Sequence, residues 1–246
     1  MLYQPKIDLA TETLVGCEAL VRWQDSTKGV IPPDKFIPMA EETGCIISIG
    51  LWVIQTVSAQ IVDWRKRNIN IPQVAINLSG SKLASSASLK SIFDILEKNL
   101  FPPSMIEFEL TESVIMGYHS SGAFQSLLKL NESGYNISID DFGTGYSSLS
   151  YLKHLPIDTL KIDRSFIIDV IEREDGRAIV KAIIALANCL ELKTIAEGVE
   201  TQLQLDFLKA CGCDQVQGYY FAKPLSAKDI AAFSEQQSNN PLLMLS

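Results

Sequence analysis

Ile106-Glu107-Phe108-Glu109-Leu110 leads, through an amphipathic segment over Gly122–Ser133, to Ile137-Ser138-Ile139-Asp140-Asp141. Two short apolar runs flank a longer segment of helical character, and each run ends on acidic residues. That is strand, covering helix, strand, the unit from which parallel sheets are built. The same alternation extends in both directions. Strands are predicted at Leu2–Gln4, Val15–Trp23, Val74–Leu78, Ile106–Leu110, Ile137–Asp140, Thr159–Ile162, Thr194–Ala196 and Gln215–Gln217. Helices are predicted at Ile46–Arg67, Ser88–Leu100, Gly122–Ser133, Ser147–His154, Ala178–Leu190 and Gln202–Ala210. Eight strands alternating with helices in a chain of this length predict an α/β fold, a (β/α)8 TIM-like barrel. Only Asp8–Thr13 joins the first two strands. That is too short for a parallel crossover, so this pair is predicted as an antiparallel hairpin, giving a barrel with one reversed strand near the N-terminus. The alternative, an open doubly wound sheet, would want a Gly-rich phosphate loop after an early strand, and none is visible.

The chain has 246 residues, 47% of them hydrophobic and 20% charged, with a mean hydropathy of +0.14. Such a chain can bury one large core, and residues 1–246 are read as a single domain. No run of about 18 apolar residues occurs, so no transmembrane helix is expected. The opening Met1-Leu2-Tyr3-Gln4-Pro5 lacks the features of a signal peptide and enters a strand at once, as a domain cut from a longer protein would. Five scattered cysteines suggest no disulfide framework, and Cys211-Gly212-Cys213 is too tight for a zinc knuckle. Reduced cysteines in a cytoplasmic protein are the expectation. With only His119 and His154, a histidine zinc site or a Ser-His-Asp triad is disfavoured. The net charge of −8 should repel a nucleic-acid polymer. A small phosphate ligand stays open if metal ions reverse the local charge.

What ends the strands is informative. Asn77, Glu109, Asp140, Asp141, Lys161, Glu197 and Gln217 each stand at or near a strand's C-terminal end. A barrel gathers those ends on one rim, where barrel enzymes carry their chemistry. Glu18 lies inside the second strand, where a lone buried carboxylate is costly. Singly, each has a bland explanation: a helix cap, a turn before Gly143 and Gly145, a salt-bridge partner. Together they would form a mutually repelling acidic cluster that needs cations. Oxygen donors without Cys or His suit Mg²⁺ or Mn²⁺. Several carboxylates, with Asp140 and Asp141 adjacent, suit two ions acting on a phosphate ester. Lys161 would orient the attacking water or stabilise developing charge.

Further motifs accompany these residues. Val15-Gly16-Cys17-Glu18-Ala19-Leu20-Val21-Arg22-Trp23 contains Glu-Ala-Leu, and Tyr3-Gln4-Pro5, Phe36-Ile37-Pro38 and Ala40-Glu41-Glu42-Thr43-Gly44 flank it. Asn77-Leu78-Ser79, Glu109-Leu110-Thr111-Glu112, Asp140-Asp141-Phe142-Gly143-Thr144-Gly145, Lys161-Ile162-Asp163, Glu197-Gly198-Val199-Glu200 and Gln217-Gly218-Tyr219 follow in order. Over essentially its whole length the chain resembles the EAL domain family. The resemblance implies hydrolysis of cyclic di-GMP to linear 5′-pGpG, with Mg²⁺ or Mn²⁺ as two ions per site. It implies that Glu18, Asn77, Glu109 and Asp140 hold one metal, and Asp140 and Asp141 the other with support from Gln217. Lys161 and Glu197 would act on the nucleophilic water. Arg22 would contact a substrate phosphate, and Gln4, Leu20, Asp163 and Glu200 would lie at the guanines or the cleft. Glu112 would tether the loop beside Asp140 and Asp141 without touching metal. The resemblance also implies a homodimer paired near Ser147–His154, and a sensor or diguanylate-cyclase-like domain elsewhere in a longer, cytoplasmic or membrane-anchored protein. The family's usual helix before the Tyr-Gln-Pro strand is not seen in this sequence. Two other readings remain: a catalytically weak member that only senses cyclic di-GMP, and a metal phosphodiesterase of another substrate. The first typically lacks metal ligands or the lysine, which are present here; the second leaves Gln4, Arg22 and Phe36–Pro38 unexplained.

Overall fold

The first strand, β1 (Leu2–Asp8), turns back at once into β2 (Leu14–Leu20), with Gln4 opposite Glu18 and Lys6 opposite Gly16. The Asp8 carboxylate closes the turn by accepting from the backbone N–H groups of Ala10 and Thr11 at 3.0 and 2.8 Å. In the computed structural model, which describes residues 1–80, 86–116, 122–145 and 152–239, β1 is the one reversed strand of an otherwise parallel array. The array continues with β5 (Val74–Asn77), β6 (Ile106–Thr111), β7 (Asn136–Phe142), β8 (Thr159–Ile162), β9 (Lys193–Glu197) and β10 (Gln215–Gln217), after the short pair β3 (Trp23–Asp25) and β4 (Gly29–Ile31) described below. It closes as a barrel in the order β1-β10-β9-β8-β7-β6-β5-β2, with β1 antiparallel to both its neighbours. The predicted barrel with one reversed strand is what forms. Because β1 runs backwards, its beginning lies at the rim where the other strands end, which is how Gln4 reaches the same rim as Gln217.

Some boundaries differ from the sequence reading. The strand expected over Val15–Trp23 ends at Leu20, and Trp23 instead opens the separate two-stranded β3–β4 sheet. Trp23 packs edge-on against Phe36 of the unpredicted helix α1 (Pro33–Glu42), with ring centroids 5.8 Å apart. Strands of three residues give no usable alternation, which is why they escape a periodicity argument. The remaining helices are α2 (Ile46–Lys66), α3 (Ser86–Leu96), α4 (Glu112–Met116), α5 (Gly122–Glu132), α6 (Arg164–Ile168), α7 (Glu174–Cys189), α8 (Gln202–Ala210) and α9 (Ala227–Asn239). The helix read to Leu100 stops at Leu96, and the one read from Ala178 begins at Glu174. Of the expected helix Ser147–His154, residues 147–151 lie outside the described part.

By length and composition, α2 is apolar enough to cross a membrane, with mean hydropathy 1.5, although it holds no unbroken run of about 18 apolar residues. One face of it, including Val53, Ile54, Val57, Ile61 and Trp64, is buried in the hydrophobic core. Trp64 meets Tyr3 of β1 edge-on at 5.0 Å, and its indole N–H donates to the Ala227 carbonyl at 3.2 Å. The helix packs against β5 and α3, and through Trp64 it reaches β1. Among the largest fully buried side chains of the molecule are two lysines, Lys6 and Lys161. A fully buried ammonium needs carboxylate partners, and these lead to the rim.

Candidate active site

Strand pleating sends alternate side chains to opposite faces. Ser138 and Asp140 point into the barrel, since Ser138 reaches Glu107 and Asp140 reaches Lys161. A regular strand would therefore aim Asp141 outward at the helices. It does not continue regularly. Ile139 pairs with Leu160 and Phe142 with Ile162, three steps on β7 against two on β8, which is a bulge. Asp141 sits in the left-handed region at φ 54°, a conformation uncommon for a residue other than glycine. The bulge re-aims Asp141, so that Asp140, Asp141 and Glu197 bring carboxylate oxygens within 4.8 Å of one another. Both consecutive aspartates thus serve one rim.

Lys161 rises from β8 into the middle of this cluster. Its ammonium lies 2.6 Å from Glu197, 2.9 Å from Asp140, 3.0 Å from Glu109 and 3.9 Å from Glu18. Glu18 accepts from the Asn77 amide at 2.8 Å and from the Gln217 amide at 2.6 Å. Gln217 also donates to Gln4 at 3.2 Å, and Asn77 to Glu109 at 3.4 Å. Eight residues of the sequence prediction thus form one bonded group, one from each of the eight barrel strands: Gln4, Glu18, Asn77, Glu109, Asp140, Lys161, Glu197 and Gln217. Asp141 joins them through its carboxylate neighbours. Gly218 fixes the rim next to Gln217: a Cβ there would fall 2.0 Å from the Val199 carbonyl oxygen, so no other residue allows the two loops to cross.

One ammonium does not balance these carboxylates. Burial, and then the Glu109 charge, push the Glu18 carboxyl up to about 7. Burial and the Asp140 charge raise Asp141, and burial raises Glu197 well above its usual range despite Lys161 beside it. Glu109 goes the other way: burial would raise it, but Lys161 and a second lysine, Lys6, hold it at about 2. Burial alone would depress Lys161, and Asp140, Glu109, Glu18 and Glu197 instead raise it well above its ordinary value. The rim therefore carries surplus negative charge that a cation would neutralise. The side-chain oxygen of Gln217 is also buried and accepts no hydrogen bond, as befits a group aimed at water held by such a cation.

The same fold occurs in known proteins. The EAL domain profile matches residues 1–224. The chain belongs to the EAL domain family. A Pseudomonas aeruginosa protein named bifunctional diguanylate cyclase/cyclic di-GMP phosphodiesterase MucR is 41% identical over 230 residues, 94% of this chain and 33% of its own length. The Escherichia coli protein named cyclic di-GMP phosphodiesterase PdeR is 41% identical over 225 residues, 92% of this chain and 34% of its own. A solved structure described as PaMucR phosphodiesterase in complex with c-di-GMP superposes with a TM-score of 0.88 at 41% identity, covering 93% of this chain and 92% of that one. The chain thus spans about a third of the length of these curated relatives.

In this EAL domain the other predicted residues stand outside the bonded group. Glu112, at the start of α4, is 1% exposed and accepts from the backbone N–H of Gly143 at 2.8 Å and of Gly145 at 3.4 Å. A Cβ on Gly145 would lie 2.8 Å from the Glu112 carboxylate, so the glycine is what allows this approach. Arg22 donates to the Val21 carbonyl at 2.8 Å. With Leu20, Asn77 and Glu109 it lines a cavity of about 320 Å³, whose outer wall is Pro33, Ile37 and Glu41 of α1. Asp163 caps α6 by accepting from the Ser165 N–H at 3.1 Å, and Glu200 pairs with Arg164 at 2.8 Å on the surface. Among the described hydrogen bonds and ion pairs neither is joined to the cluster, although the Asp163 charge adds to the rise of Asp141. Sequence reasoning missed Lys6 and Glu107, which lie directly beneath it. The signal was available: a charge among buried strand residues singled out Glu18, and Lys6 and Glu107 satisfy the same criterion.

Proposed function

We propose that this domain hydrolyses cyclic di-GMP to linear 5′-pGpG with two divalent metal ions, ending a second-messenger signal. The observation that carries the reading is the convergence of Glu18, Glu109, Asp140 and Glu197 on Lys161, with Asp141 turned in beside them. The relatives' names and the complex with c-di-GMP supply the substrate. Glu18, Asn77, Glu109 and Asp140 would hold one ion and Asp140 and Asp141 the second, with a Glu197 oxygen within 4.8 Å of the two aspartates, and the Gln217 oxygen, buried without a hydrogen bond among the described residues, would face the water shell. All donors are oxygens, which suits Mg²⁺ or Mn²⁺. Bound ions would supply Lewis acidity toward the phosphodiester and favour ionisation of water.

The chain's own groups do the rest. Lys161 and Glu197, 2.6 Å apart, hold the attacking water. The water oxygen bonds to phosphorus, the bond from phosphorus to the 3′ oxygen breaks, and the water's proton ends on that oxygen. Arg22 grips a phosphate at the mouth of the cavity, where its planar guanidinium can make paired bonds. Leu20 and Gln4 face the same cleft, with Asp163 and Glu200 at its outer edge. Glu112 keeps the Asp140–Gly145 loop in place. The domain works within a longer cytoplasmic or membrane-anchored protein, a reading supported by the greater length of the relatives. It pairs as a homodimer near Ser147–His154, which light scattering of the isolated domain tests. The decisive experiment is chromatography of cyclic di-GMP after mixing with the domain and Mg²⁺, with and without chelator. 5′-pGpG appearing only with metal is expected. Binding without product would overturn hydrolysis in favour of a sensor.

A further inference from the structure

The inward-facing layer below the rim is found by stepping two residues away from it along each strand. It contains Lys6 on β1, Gly16 on β2, Ala75 on β5, Glu107 on β6, Ser138 on β7, Thr159 on β8, Ile195 on β9 and Gln215 on β10. Gly16, Ala75 and Ser138 are small, and opposite Gly16 stands Lys6. It is 2% exposed. Its ammonium lies 2.7 Å from Glu107 Oε1 and 2.8 Å from Glu109 Oε1. Ser138 donates to the same Glu107 oxygen at 3.1 Å.

One carboxylate would suffice to neutralise Lys6, and Glu107 already does so within its own layer. The second contact reaches up to the rim. Glu109 is consequently held by both oxygens: Oε1 faces down to Lys6, and Oε2 faces up to Lys161 at 3.0 Å and Asn77 at 3.4 Å. The terminal torsion of a glutamate is broad and has no sharp minimum of its own. Two ammonium groups on opposite sides of the carboxylate give it one.

We propose that Lys6 is a positioning residue: by holding Glu109 Oε1 beneath the rim, it makes Glu109 present a single oxygen, Oε2, to the metal cluster. The idea rests on the metal-site reading above. It assigns Lys6 no contact with substrate or metal. Groups that orient metal ligands in this way are typically worth about 10–100-fold in metal affinity or activity.

Lys6→Met alone would strand Glu107 as a buried, unpaired charge and endanger the fold. The informative variant is Lys6→Met combined with Glu107→Gln, which removes one charge of each sign and keeps the layer filled. Its control is Glu107→Gln alone, which leaves the Lys6–Glu109 bond in place. Mn²⁺ binding to the domain is measured by calorimetry, alongside melting temperature in chelator and cyclic di-GMP turnover. The double variant is expected to melt near the wild-type temperature in chelator, to bind Mn²⁺ about 10–100-fold more weakly, and to lose kcat more than KM. Glu107→Gln should bind Mn²⁺ nearly as the wild type does. Wild-type Mn²⁺ affinity in the double variant would overturn the proposal. So would an equal loss in Glu107→Gln, which would make the effect one of floor packing. If the wild-type domain binds Mn²⁺ and leaves cyclic di-GMP intact, the functional reading falls, while the calorimetric comparison still decides the role of Lys6.

Discussion

Glu107 and Glu18 lie inside the same barrel, 3% and 7% exposed, and face very different company. Glu107 has an ammonium at 2.7 Å and a hydroxyl at 3.1 Å, a matched ion pair. Glu18, one layer higher, has its nearest ammonium at 3.9 Å and shares it with Glu109, Asp140 and Glu197. Two amides satisfy its oxygens, but its carboxyl is still pushed up to about 7, first by burial and then by Glu109. The floor pairs its charges within itself, whereas the rim holds more carboxylates than its one ammonium balances. Burial is the same in both places. What separates structure from site is whether positive charge matches negative.

The contrast breaks most visibly at Lys161. Lys161→Ala is expected to lower kcat by about 10³-fold with a much smaller change in KM, as for a group acting on the attacking water. Steady-state kinetics at saturating Mg²⁺ checks this. Unchanged kcat would make Lys161 a pairing lysine of the same kind as Lys6.

Glu18→Gln sharpens the comparison through stability. The folded-state carboxyl stands at about 7 against an ordinary 4.5, so the folded protein favours the protonated form. Its contribution to stability is full below 4.5 and is lost as pH rises through 7. A glutamine copies the protonated form. In chelator, Glu18→Gln should match the wild type near pH 4.5 and exceed it by on the order of 2 kcal/mol at pH 8, while turnover with metal falls about 10²-fold or more. Urea unfolding at the two pH values measures the first part. A stability difference that does not change with pH would mean that Glu18 is not under the strain described.

The smallest expected effect is at Glu112, which is bonded to the Gly143 and Gly145 amides beside the rim. Glu112→Ala should release the segment that follows the Asp141 bulge and raise the Mn²⁺ concentration for half-maximal activity by about tenfold. A metal titration with the wild-type midpoint and maximal rate would show that the loop holds its shape unaided.

Much of this was legible in the chain itself. Strand and helix periods are local, so βαβ alternation and the short Asp8–Thr13 link suffice for a barrel with one reversed strand. Strand ends are local too, and Asn77, Glu109, Asp140, Lys161, Glu197 and Gln217 could be assigned to one rim before any contact was known. Other features depend on distant partners. Lys6 is separated from Glu107 and Glu109 by 101 and 103 residues, so no window of sequence joins them. Asp141 turns inward because β7 gains a residue against β8, a consequence of pairing between strands and not of its own neighbours. Glu112 finds its donors 31 and 33 residues away, where two glycines allow the approach. The sequence alone determined which residues reach the rim, because that follows from the period of the backbone. Only the tertiary structure decided which carboxylates are neutralised and which are left in surplus, because charge balance is set by distances between strands.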